Sequence, residues 1–140
     1  MSQENIELMR QGYEAMLRRD IEALLELLDP DVEMHDRPEA PDARSYRGHE
    51  GVLTALQVSL DAFDDFRLEP EAYYEADDKV VVLLRMVGTG NVSGVPVEEH
   101  IAHLWTIRDG RAVVLQVYSD PGDALAAAGI SESEAERRLG

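Results

Sequence analysis

The chain has 140 residues, 44% of them hydrophobic, with four histidines, no cysteine and a formal net charge of −16 at pH 7. A chain of this length can fill one core without metals or disulfides, and the lack of thiols excludes disulfide frameworks, Cys-zinc sites and thiolate chemistry. The acidic surplus, with a sequence pI of about 4.4, repels phosphate backbones and anionic bilayers at long range, so neither nucleic acid nor a membrane is expected as a partner.

Ile6, Met9, Tyr13, Met16 and Leu17 recur at three- and four-residue spacing, which predicts an amphipathic helix over residues 3–18 with Tyr13 on its core face. The N-terminus lacks the basic-then-apolar pattern of an export signal and no apolar run is as long as a membrane span, so a cytoplasmic protein is expected. Asp20 is placed to cap a second helix through Leu24, Leu25 and Leu28, which Asp29-Pro30 ends because a residue before proline avoids the helical region. DVEMHD then alternates as a strand, PEAPDARSYRG reads as a polar loop, and residues 48–63 return to helical spacing.

From Phe63 onward the period changes from that of helices to that of strands. Four strand-like runs are joined by Asp77-Asp78, by Asn91 to Gly94 and by Arg108-Asp109-Gly110, turn clusters short enough for antiparallel hairpins. Asp120-Pro121 starts a last helix and Gly129 closes it. The result is an α+β fold: N-terminal helices, a long antiparallel meander sheet that curls around them and a short C-terminal helix. Residues 1–130 form the single expected domain and 131–140 a polar, frayed tail. A sheet bent over helices leaves one open end that can hold a small molecule.

Strand parity assigns side chains to that end. Val32, Met34 and Asp36 share the apolar face of the first strand, with Glu33, His35 and Arg37 opposite. Ile101, His103, Trp105 and Ile107 form the bulkier, inward set of the fourth strand-like run, and Val113, Leu115, Val117 and Ser119 are taken as inward in the last. His100 and His103 project to opposite faces and cannot chelate one ion, so no metal is expected, nor any cofactor.

The order of elements, with DIEALLELLDPDVEMHD, SYRGHEGV, AFDDFRLEPEAYYEADDKVVVLLRMVGTG and AHLWTIRDGRAVVLQVYSD, resembles the SnoaL-like branch of the nuclear-transport-factor-2-like superfamily over about residues 4–130. That resemblance implies a curved sheet around helices, a pocket at the wide end and a homodimer packed through the sheet. It places Asp36 where ketosteroid isomerases keep the carboxylate that moves a proton alpha to a carbonyl. Their oxyanion-holding tyrosine falls at Gly12, a supporting tyrosine near Leu56 and the second oxyanion donor at about His103, so steroid isomerisation is disfavoured. The polyketide cyclases' histidine is matched by His103, but their proton-transferring aspartate falls at Val117.

What remains is a carboxylate, Asp36, and an imidazole, His103, expected to share an apolar cavity and to sense each other's charge. Tyr13, Met34, Tyr46, Trp105, Leu115, Val117 and Ser119 are the expected ligand-binding residues. Asp36 can equally accept backbone hydrogen bonds in the Arg37-Pro38 turn, and His103 can be a core histidine bonded to Asp, Tyr or backbone. Three functions stay open: an isomerase or lyase of small carbonyl compounds, a non-catalytic binder of an apolar metabolite, and a dimeric interaction module with a filled cavity.

Overall fold

The computed structural model of the chain describes residues 4–37 and 44–131. Helix α1 (Glu4–Leu17) buries Met9, Gly12, Tyr13 and Ala15, the stripe that its apolar spacing dictates. Asp20 accepts the Ala23 amide at 3.2 Å and caps the short α2 (Ile21–Glu26). That helix stops before its leucines run out, because Leu28 already belongs to strand β1 (Leu28–His35). The Ala112 amide donates to the Leu27 carbonyl at 2.9 Å, so pairing within the sheet overrides the helical propensity of the leucines.

The polar stretch after β1 is not wholly a loop. Residues 38–43 lie outside the described residues, but Ser45–Arg47 form β2, antiparallel to β1 with Tyr46 opposite Met34. Helix α3 (Gly48–Ala62) follows at once, and Gly48 makes the corner with φ of 73°, a left-handed conformation that costs glycine little. The remaining strands are β3 (Phe63–Ala76), β4 (Lys79–Gly90), β5 (Pro96–Arg108) and β6 (Arg111–Tyr118). Asp109 and Gly110 both take positive φ at the β5–β6 turn, as the tightest hairpin connections require.

The six strands lie in the order β2-β1-β6-β5-β4-β3. The meander from β3 to β6 is antiparallel, as the turn clusters predict, but β1 runs parallel to β6. The sheet is therefore mixed: α3 carries the chain from the β2 edge to the opposite edge, and turn chemistry, which reports only on neighbours in sequence, cannot reveal that. Irregularities at Asp64–Arg67 and Pro70–Ala72 interrupt the β3 ladder, and such bulges add bend and twist to a strand. The inner face packs on α1 and α2 in one core that joins Met9, Tyr13 and Leu24 to Val80, Val82 and Trp105.

A second, smaller core lies on the outer face. The last helix, α4 (Pro121–Ala127), is capped by the Asp120 carboxylate, which accepts the Gly122 amide at 2.8 Å. Ala124, Leu125 and the following Ile130 pack with Ala72, Tyr74, Val81, Ala102 and Leu104. Leu104 is thus covered within one chain, although strand parity alone leaves it on an open sheet face.

Candidate ligand pocket

A cavity of about 180 Å³ opens between the helices and the concave face of the sheet. Its inner wall comes from β5, where alternation sends Ile101, Trp105 and Ile107 into the core. His103, on the same face, is 6% exposed and lines the cavity. The register shift between Thr106 and Ile107 moves the parity of β6 by one residue, so Ala112 rather than Val113 joins Leu115 and Val117 inside.

Three buried side chains form a hydrogen-bonded relay. Trp105 Nε1–H donates to the Tyr13 hydroxyl oxygen at 2.8 Å, and that hydroxyl lies 2.6 Å from His103 Nδ1. Indole can only donate, so the phenol oxygen accepts from it and its own proton goes to Nδ1. The imidazole proton therefore sits on Nε2. No buried side-chain nitrogen or oxygen among the described residues lacks a partner, and Nε2 has no protein partner there, so this N–H faces the cavity. Burial pushes the His103 pKa down to about 3 and the Tyr13 pKa up from its usual 10.0, because neither charged form is solvated inside. At neutral pH the site presents a neutral imidazole with one N–H aimed into an apolar space.

The mouth is built by the end of β1. The Asp36 amide donates to the Arg44 carbonyl at 3.0 Å, and Gln116 Nε2 donates to the Asp36 carbonyl at 3.0 Å. With the backbone held from both sides, Asp36 Oδ1 accepts the Arg37 amide at 2.8 Å, while Oδ2 has no protein partner among the described residues. One oxygen of Asp36 is thus held by backbone, and the carboxylate still lines the cavity.

Arg37 departs from its expected face. It too lines the cavity, and its Nη1 donates to Glu99 Oε2 at 3.2 Å and Ser119 Oγ at 3.4 Å. Parity fails there because the strand ends at His35; beyond a strand end the two-residue period no longer applies. That end was readable from the Arg37-Pro38 step, which breaks the run.

Tyr13, Met34, Asp36, His103, Trp105, Leu115 and Val117 are brought together around the cavity. Tyr46 and Ser119 are not among the lining residues. Although Tyr46 shares the register of Met34, the first turn of α3 lies against it: a Cβ on Gly51 would stand 3.1 Å from the Tyr46 Cβ. Ser119 lies past the end of β6 and receives Arg37 instead. Gly12 and Leu56 line the cavity without offering a donor, and the neighbouring Tyr13 hydroxyl is committed to His103. The other three histidines bond Ser45 Oγ, the Leu28 carbonyl and Glu71, and none lines the cavity.

Curved sheet, enclosed helices and end-on cavity define the class of NTF2-like, cystatin-like folds, and solved structures of that class superpose on the chain. A SnoaL-like domain model matches residues 9–115, and the chain belongs to the SnoaL-like family. An NTF2-like protein of unknown function from Burkholderia pseudomallei is 28% identical, with a TM-score of 0.74 covering 90% of this chain and 97% of that one. TerC, co-crystallised with polyporic acid, is 26% identical, with a TM-score of 0.73 over 90% of this chain and 98% of its own. A protein with a ketosteroid isomerase-like fold from Catenulispora acidiphila, in complex with trimethylamine, is 18% identical with a TM-score of 0.71, covering 89% of this chain and 93% of that one; this likeness concerns the fold alone. No curated protein matches the chain.

Proposed function

We propose that the chain binds a small, largely apolar carbonyl compound in this cavity and moves a proton beside the carbonyl, as an isomerase or lyase. The observation that carries the reading is the neutral His103, whose Nε2–H faces the same cavity as the Asp36 carboxylate. Asp36 takes the proton from the carbon alpha to the carbonyl; the C–H electron pair becomes the new C=C bond and the carbonyl π pair moves onto oxygen. His103 Nε2–H donates to that oxygen, and a single such donor contributes about 10²–10³ in rate. Asp36 then returns the proton to the carbon skeleton, or a leaving group departs from the neighbouring carbon. Membership of the SnoaL-like family supports a pocket protein, and a similar protein co-crystallised with polyporic acid supports an organic ligand.

The test is deuterium incorporation alpha to the carbonyl of simple ketones in D2O, followed by NMR. Wild-type protein should accelerate it, and Asp36→Asn, with an unchanged melting temperature, should remove roughly 10²-fold or more of the acceleration. Bound ketones that exchange no faster than in buffer would leave the non-catalytic binder as the function.

We also propose that two copies associate through the outer sheet face, where Leu83, at the margin of the core under α4, and Val114 are only half buried. Homo-oligomers favour such self-complementary contacts. Sedimentation velocity at micromolar concentration should give a dimer; a monomer alone would end this part of the proposal.

A further inference from the structure

Size, lining chemistry and mouth charge together define the ligand more narrowly than a carbonyl group does. The cavity of about 180 Å³ is close to the ~150 Å³ apolar cavity that holds a benzene molecule and below the ~300–1,000 Å³ of pockets for drug-sized ligands. It has room for one ring and a few further atoms, not for a fused polycycle.

The lining is soft rather than merely apolar. The chain has five methionines, and four of them, Met9, Met16, Met34 and Met86, line this one cavity beside Tyr13 and Trp105. Thioether sulfur near an aromatic ring edge is favourable by about 0.3–1.5 kcal/mol per contact, and the unbranched side chain adapts to a flat guest. Leucine at these positions would offer the same bulk without that preference.

The described part of the mouth opposes anions. Arg37 carries the only positive charge among the described lining residues, and that guanidinium is already paired with Glu99 at 3.2 Å and adjoins Asp36. Two carboxylates against one guanidinium leave one net negative charge, in a chain of formal charge −16. A ligand carboxylate would meet repulsion at the mouth, and apart from Arg37 the uncommitted donors of the described lining, His103 Nε2–H and the Ser59 hydroxyl, are neutral.

We propose that the cavity selects a neutral, single-ring aromatic carbonyl compound, its oxygen accepting from His103 Nε2–H and its ring held among the methionine and aromatic side chains. The inference rests on the carbonyl reading given above and adds the substrate class. Acetophenone is a minimal probe, compared with cumene, which lacks the acceptor; cyclohexyl methyl ketone, which lacks the aromatic ring; 4-acetylbenzoate, which adds the charge; and a four-ring 3-oxosteroid.

Binding is read from NMR shifts of the 15N-labelled protein, including the His103 ring. Acetophenone should saturate at millimolar concentration, move the His103 Nε2 signal and bind roughly tenfold more tightly than each comparison compound, a difference of about 1.4 kcal/mol. Arg37→Gln should not narrow the preference for acetophenone over 4-acetylbenzoate, since the guanidinium is not what recognises the ligand. Equal or tighter binding of 4-acetylbenzoate, lost in Arg37→Gln, would overturn the proposal, as would equal binding of the steroid or of cyclohexyl methyl ketone, or no saturable acetophenone binding. Asp36-dependent exchange on a different ketone, with acetophenone unbound, would sink the substrate class and spare the proton transfer. Selective acetophenone binding without Asp36-dependent exchange would do the reverse.

Discussion

Tyr13→Phe should destabilise the fold by about 2–4 kcal/mol, far more than the loss of one hydroxyl suggests, because two buried partners lose it at once. The Tyr13 hydroxyl accepts from Trp105 Nε1–H and donates to His103 Nδ1, at 2.8 Å and 2.6 Å. Phenylalanine keeps the ring and its packing but leaves a buried donor and a buried acceptor unpaired, each costing about 1–3 kcal/mol. Against a total stability of about 5–15 kcal/mol, this should appear in urea unfolding as a lower midpoint with an unchanged slope. Tyr73→Phe is the control, since Tyr73 is a partly exposed ring under Arg10, 5.1 Å from its guanidinium carbon. A Tyr13→Phe loss no larger than the control's would mean that water reaches both orphaned groups. The same variant frees the His103 tautomer, so 15N shifts of its ring should move from a pure Nε2–H pattern toward a mixture of the two neutral forms.

Stability should also fall with acid well before most carboxylates titrate, and His103 is the reason. Its folded pKa is pushed down to about 3 from the ordinary 6.5 by burial. As pH drops, the unfolded chain takes up this proton first, so protonation draws the equilibrium toward unfolding. The contribution is fully present above about pH 6.5, shrinks by at most about 1.4 kcal/mol per pH unit, and is exhausted near pH 3, for a total on the order of 5 kcal/mol. His103→Gln, which retains a hydrogen-bonding amide and cannot titrate here, should flatten the stability profile between about pH 5 and 6.5. An identical slope in both proteins would place the acid sensitivity elsewhere.

How much of this was legible in the sequence depends on the range over which each interaction acts. Met34, His103 and Trp105 were assigned to the cavity side by alternation, a local property that survives folding unless a bulge intervenes. Val113 fell where one does. Alternation puts Arg37 on the wrong face because β1 ends at His35 and the two-residue period ends with it. Tyr13 was read correctly as a core-facing residue of α1, but its partner is 90 positions away, and nothing in the spacing of a helix names a residue on a distant strand. The parallel pairing of β1 with β6 was hidden for the same reason, since turn chemistry speaks only for consecutive strands.

That parallel pairing governs when the site can exist at all. Met34 sits beside Leu115 across the β1–β6 ladder, so the ladder closes a loop more than half the chain long. Closing a loop of that length costs entropy before any contact rewards it. The Asp36 backbone is held by Gln116 and the cavity wall needs Leu115 and Val117, all supplied by the last strand. A chain emerging from synthesis N-terminus first can assemble its helices and hairpins early, yet has nowhere to hold a ligand until its final strand is in place. Any occupant of the cavity therefore reports on the finished protein and on no fragment of it.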